Sequence, residues 1–328
     1  MERVTVRPPP QRLWLHLLLF VLTVGTTTFT FDRAFPTGPL PDAARLAHAL
    51  TFSAALLSIL GAHEMGHYVL ARLHGVDVSL PYFIPLPYLG VGTLGAVIRI
   101  RAPIPTRNAL VDIGAAGPLA GLAVALPLLV WGLAHSEWID APPVTDTDFP
   151  GSTSLWSLGR LAVEWAGVQL SLLPAPPEEP FFGHQAIIFS DSLLMRGLKA
   201  LVLGPLPPGR DIQEHPVVIA GWFGLLVTVL NLMPVGQFDG GHMAYALWGR
   251  RARWVGKAMA LVLLFLTLFY TVTWAVWLLV ATKLVGFGHP ELTHPAEPLS
   301  FGRKLVCALC FLALAGCAMP VPIRMVIW

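Results

Sequence analysis

The chain has 328 residues, 55% of them hydrophobic and 12% charged, with a mean hydropathy of +0.66. A soluble domain carries about 25% charged residues, so this composition excludes an ordinary soluble domain and indicates a polytopic membrane protein. The net charge of +2 is small and dispersed, which excludes nucleic acid as a partner.

In chain order, Arg3, Arg7 and Arg12 precede a first apolar run, Leu13–Phe31. The run is long for a signal peptide and no small-residue cleavage site follows it closely, so it is expected to be a retained span. Five more membrane-length segments follow, at Leu46–Ala71, Ile113–Ala134, Pro216–Phe238, Ala258–Thr282 and Leu305–Ile323. The expected fold is an all-α polytopic membrane protein of about six transmembrane helices, a single domain over residues 1–328.

Orientation follows from Lys and Arg in the short connections. With the N-terminus inside, the cytoplasmic connections hold twelve such residues against five in the two short outer ones. Both termini are therefore expected to be cytoplasmic, in a bacterial inner membrane. The polar, Pro-rich stretch 137–215 becomes an extracytoplasmic insertion; it has no succession of alternating strands that a peptide-binding β domain would need. Within it, Leu155–Leu173 is amphipathic and suits a membrane surface. Cys307, Cys310 and Cys317 share one late apolar segment and read as small buried hydrophobes with no disulfide framework.

The second span carries the chemistry. Between Leu46 and Ala71 the sole Asp, Glu, Lys or Arg is Glu64, in the run His63-Glu64-Met65-Gly66-His67. Helical spacing stacks His63 and His67 on one face. Two imidazoles so placed can hold one zinc ion, with Glu64 beside them as general base. A carboxylate and two histidines are costly inside an apolar span, which makes a functional reading the default.

Between the second and third spans, Leu80–Pro105 is rich in Pro and Gly, and Thr93–Arg101 alternates like a strand. A short re-entrant or interfacial β-hairpin is expected there, because exposed backbone at membrane depth must line a cavity or be buried in protein. Thr93, Gly95 and Val97 are candidate substrate-binding residues: the free edge of such a strand could pair with an unwound substrate segment. The third span opens Asp112-Ile113-Gly114-Ala115-Ala116-Gly117-Pro118-Leu119-Ala120-Gly121. Its small residues, three and four apart, suit close helix packing, with Asp112 as a cap or network member.

A catalytic zinc site takes three protein ligands plus an open position. The fourth span ends Asn231-Leu232-Met233-Pro234-Val235-Gly236-Gln237-Phe238-Asp239-Gly240-Gly241-His242, where Pro234 and Gly236 break the helix. Asp239 and His242 are both candidate third ligands, with Asp239 favoured. His289 and His294 look like surface histidines.

These motifs resemble those of the site-2 proteases, intramembrane zinc metalloproteases. His63-Glu64-Met65-Gly66-His67 matches the HExGH motif of that family, and Asn231 through Asp239-Gly240 its Asn-x-x-Pro…Asp-Gly motif. Gly117-Pro118 is similar to its small-residue motif, and the ending Pro-Val-Gly-Gln-Phe-Asp-Gly-Gly-His to that of bacterial and plastid members. The resemblance implies one zinc per chain held by His63, His67 and Asp239, Glu64 as base, and Asn231 stabilising the transition state or positioning substrate. It also implies a transmembrane protein substrate cleaved within the bilayer. An ion or metal transporter using the same His/Glu site, and a catalytically silent binding protein of this fold, are the alternatives. The first would be marked by inverted repeats and the second by loss of Glu64 or a ligand.

Overall fold

A computed structural model describes residues 12–35, 41–87, 90–140, 154–170, 172–174, 185–205, 207 and 209–327. Arg3, Arg7 and most of the Pro-rich run 174–180 lie outside them. The helices are α1 (Leu13–Ala34), α2 (Asp42–Leu73), α3 (Arg107–Ala134), α4 (Leu155–Gln169), α5 (Leu193–Leu203), α6 (Pro216–Leu232), α7 (Asp239–Trp248), α8 (Ala252–Phe269), α9 (Thr273–Leu279) and α10 (Phe301–Cys317). Strands β1 (Tyr82–Pro85), β2 (Thr93–Val97), β3 (Glu137–Asp140), β4 (Gln185–Phe189), β5 (Arg210–Gln213) and β6 (Ile323–Ile327) pair antiparallel as β1–β2, β3–β5 and β4–β6.

Local chemistry sets the boundaries. Thr106 caps α3 by accepting from the Ala109 N–H, and Ser192 caps α5 by accepting from Met195. His215 caps α6, with Pro216 at the first position, where its missing N–H costs nothing. Met233 is driven to an extended ψ of 129° by the following Pro234, and α6 stops there.

Among the described residues, four stretches are long and apolar enough to cross a membrane: Leu13–Ala34, Asp42–Leu73, Arg107–Ala134 and Asp239–Phe269. Pro216–Leu232 and Thr273–Val285 are apolar but shorter. The expected span Ala258–Thr282 is divided in two. α8 ends at Phe269, the chain turns through Tyr270 and Thr271, and α9 continues into a π-helical turn over Val280–Val285. The two run antiparallel: a Cβ on Gly256, near the start of α8, would come within 3.2 Å of Phe287, just past the π-helical turn. The expected last span, Leu305–Ile323, becomes α10 followed by β6.

This extra reversal changes the topology. β6 pairs with β4 of the 137–215 insertion, so the two lie at one end of the bundle. The end of α1 is there too, since the Phe35 and Phe189 rings lie 5.7 Å apart. The 22 residues of α1 rise about 33 Å, which puts its start at the other end. Arg12 and Ile323 therefore emerge at opposite ends, against the expectation that both termini share one side.

The core is built on α2, α3 and α6, packed against one another, with α7 on α3. Phe52, Leu56, Leu129, Trp222 and Leu225 are fully buried among them. At the insertion end Lys199 lies 2.9 Å from Asp191 and 3.1 Å from Glu214. Burial works against its charge, yet the two carboxylates hold its pKa above the ordinary lysine value. At the opposite end Arg303 of α10 grips Asp112 of α3 in a two-pronged pair at 2.8 and 2.6 Å, and His74 reaches the same carboxylate at 2.8 Å. Asp112 is thus a network member tying α2, α3 and α10 together.

Candidate metal centre

α2 presents His63, Glu64 and His67 on its buried side, and all three are under 9% exposed. They can lie so close to α3 because three glycines of α3 face histidine rings. A Cβ on Gly121 would sit 3.4 Å from His63, one on Gly117 would overlap His67, and one on Gly114 would come within 3.1 Å of His242. In the other direction, a Cβ on Gly66 would overlap the Ala116 carbonyl oxygen. The small-residue stripe read as packing is also the seat of the imidazoles.

Asp239 arrives from the opposite side. After α6 breaks, the segment 234–238 turns sharply, with Gly236 at φ +50°, and α7 begins at Asp239 folded back on the end of α6. Side chains at Gly240 and Gly241 would strike the Leu232, Gly236 and Val235 carbonyls. Asp239 Oδ2 comes within 3.3 Å of both His63 Nε2 and His67 Nε2, and the two Nε2 atoms are 3.1 Å apart.

That triangle can be tested as a metal site. Donors about 2.0–2.1 Å from a tetrahedral metal stand about 3.3 Å from one another, which matches all three sides. The tautomer matches as well. His67 Nδ1 lies 2.7 Å from the Ile113 carbonyl oxygen; a carbonyl only accepts, so Nδ1 carries the hydrogen and neutral Nε2 offers a lone pair. His63, His67 and Asp239 could therefore hold one metal ion. His242 is outside this group; its Nδ1 is bonded to His289 Nε2 at 2.7 Å.

Asn231 Nδ2 lies 3.3 Å from His63 Nε2, at the rim of the same triangle. All five residues line one cavity of about 1030 Å³. β2 lines it as well, through Thr93, Gly95 and Val97 among others, and the Ile98 backbone N–H faces the Glu64 carboxylate. Among the described residues, β2 is bonded to β1 on one side only. The Arg99 and Arg101 backbones bond to Ser79 and Asp77. By alternation along the strand Val97 faces β1, while Ala96 and Ile98 turn their N–H groups to the free edge.

Residues 51–272, more than half the chain, match Peptidase family M50. The chain belongs to that family. As an M50 member with apolar, membrane-length helices it is an integral membrane protein. It is similar to the probable zinc metalloprotease EGY2, chloroplastic, of Oryza sativa subsp. indica, 32% identical over 59% of this chain and 28% of that protein. It is also similar to the probable zinc metalloproteases EGY1, chloroplastic, of Oryza sativa subsp. japonica and Arabidopsis thaliana. These are 30% and 29% identical over 77% and 75% of this chain, and 41% and 42% of theirs. The chain thus spans less than half the length of the curated relatives it matches. No solved structure matches it. The relatives are chloroplastic by name, which lends no support to a bacterial inner membrane.

One residue of the cavity was misread from sequence. His289, taken for a surface histidine, lines the cavity and bonds to His242, 47 residues earlier. Nothing local to Gly288-His289-Pro290 signals this; the contact depends on the α8–α9 reversal.

Proposed function

We propose that the chain is an intramembrane zinc metalloprotease, hydrolysing peptide bonds within transmembrane segments of membrane proteins. The observation that carries it is the triangle of His63, His67 and Asp239 donors, spaced for a tetrahedral ion, with Glu64 in the same cavity. The names of the relatives favour zinc, and the family favours peptide hydrolysis. Residues 1–328 would act as one protease domain with 137–215 as an insertion, in a lipid bilayer.

In this reading His63, His67 and Asp239 hold the zinc, which when bound supplies a Lewis acid that acidifies a water and polarises the scissile carbonyl. Glu64 accepts the proton of the attacking water at its carboxylate and later gives it to the leaving amine. Asn231 donates from Nδ2 to the carbonyl oxygen as negative charge develops there. The apolar walls, among them Leu56, Leu60 and Leu230, keep bulk water out, which strengthens these interactions.

A substrate helix has its amides paired internally and must unwind before a carbonyl can reach the site. The outward N–H group of Ala96 could bond the unwound segment as an added strand, while the Ile98 N–H serves Glu64. Thr93, Gly95 and Val97 would then shape the strand: Gly95 takes φ +97°, a conformation glycine adopts without penalty. The hairpin would lie at membrane depth beside the site.

The test is metal analysis of the purified chain with a cleavage assay on a model transmembrane peptide. One zinc per chain and cleavage within the membrane segment are expected. A metal-bound chain that moves ions and cleaves nothing would favour the transporter.

A further inference from the structure

The proposed chemistry leaves two histidines of the cavity unused, His242 and His289. His289 Nδ1 lies 2.7 Å from the Pro290 carbonyl oxygen. A carbonyl oxygen only accepts, so this nitrogen carries the hydrogen. Neutral imidazole has a single N–H, which leaves His289 Nε2 as an acceptor. It is 2.7 Å from His242 Nδ1, so His242 Nδ1 is the donor. The chain of bonds therefore fixes His242 with a lone pair on Nε2. That atom finds no hydrogen-bond partner among the described residues, and its ring lines the cavity.

The pair is held firmly. Tyr245, one turn beyond His242 on α7, stacks on His289 at 4.1 Å with ring planes 9° apart. Gly114 of α3 lets the backbone press against His242. The segment that carries His289 is pinned to the start of α3: the His294 N–H donates to the Pro105 carbonyl at 2.8 Å, Asn108 Nδ2 to Glu297 at 2.8 Å, and the Ser300 N–H to Asn108 Oδ1 at 3.0 Å. Such a pair could simply brace α7. A brace, however, does not need an acceptor fixed in one tautomer on a residue that lines the cavity of a candidate metal centre.

We propose that His242 Nε2 is a substrate-binding acceptor, taking a hydrogen bond from one backbone N–H of the unwound substrate, and that His289 is a positioning residue that keeps it in acceptor form. This rests on the proteolytic reading. An extended peptide presents amides to both sides; the β2 edge can serve one side and leaves the other, where a bare amide in a dry site is costly. His242, on α7 three residues after the candidate ligand Asp239, supplies an acceptor there. The consequence is specificity. At one position near the scissile bond the substrate must carry an N–H, so proline is excluded there.

The experiment uses the full chain, loaded with zinc, and one cleavable transmembrane peptide made as a series with single amide-to-ester replacements near the scissile bond. In the wild-type chain one ester position is expected to raise KM about tenfold, the scale of one lost hydrogen bond. His242→Phe should lose about as much on the all-amide peptide and nothing more at that ester position, with metal content unchanged. His289→Leu should weaken the ester penalty; His289→Gln, whose carbonyl can accept from His242 Nδ1, should restore it. A full ester penalty in both His242→Phe and His289→Leu, or no ester penalty in the wild-type chain, would overturn the inference while leaving the proteolytic reading intact. Loss of metal in His242→Phe would overturn it in favour of a ligand role. A wild-type chain that neither binds metal nor cleaves would remove the proteolytic reading and this inference with it.

Discussion

Gly117 of α3 lies directly against the His67 imidazole of α2: a Cβ at that position would overlap Nε2, the atom that faces Asp239. The ring has its place because one residue on the neighbouring helix has no side chain. On helix propensity alone, alanine would be favoured there by about 1 kcal/mol.

Gly117→Ala is therefore expected to displace His67 and lower metal occupancy, although alanine is the better helix former. Gly302→Ala, on α10 where a Cβ meets nothing within 4 Å, should leave occupancy unchanged. Metal analysis of the two purified variants decides it; full occupancy in Gly117→Ala would show that the contact does not seat the ring.

Asp239 and Asn231 should fail in different ways. Asp239→Ala removes a corner of the triangle and is expected to lower metal content. Asn231→Ala should keep the metal and lose about 10²–10³ in rate, the usual cost of one oxyanion donor. Metal analysis beside single-turnover cleavage separates the two, and metal loss in Asn231→Ala would reassign it.

The strand edge makes a directional prediction. Proline is tolerated where an edge N–H faces away from the sheet, so Ala96→Pro should fold and yet cleave poorly, having lost an outward donor. Val97→Pro, whose N–H turns towards β1, should instead destabilise the hairpin. Normal turnover in a folded Ala96→Pro variant would mean that substrate does not pair with β2.

Lys199 offers a test of stability away from the site. Lys199→Met strands Asp191 and Glu214 without their cation and is expected to cost about 3 kcal/mol, as for other broken buried pairs. Because the lysine pKa is raised in the folded chain, the lysine's share is present throughout neutral pH and is lost only as pH climbs past the ordinary lysine value of 10.5, while burial raises the Glu214 pKa and offsets part of it. Thermal unfolding at pH 7 measures it, and an unchanged midpoint would contradict the assignment.

The chemistry was easier to read in the sequence than the topology. His63, Glu64 and His67 stand out because polar groups in an apolar helix are rare, and Asp239 because a proline and a glycine break the chain just before it. Composition also revealed the helical membrane class. Hydropathy did not reveal that Ala258–Thr282 holds a reversal, since Tyr270 and Thr271 are as compatible with a helix as with a turn, and the sidedness of the C-terminal strand was lost with it. His289 was missed for the same reason. The α3 glycines were legible as a packing stripe, but not as the seats of particular rings, because spacing alone cannot name the partner helix.

The central claim is tested most directly by one paired measurement on Glu64→Gln: zinc per chain and cleavage of a model transmembrane peptide, each against the wild-type chain. Glu64 is not one of the three triangle donors, so the account predicts one zinc in both proteins and cleavage in the wild-type chain alone. Undiminished cleavage by Glu64→Gln, or a wild-type chain that holds no zinc, would contradict it.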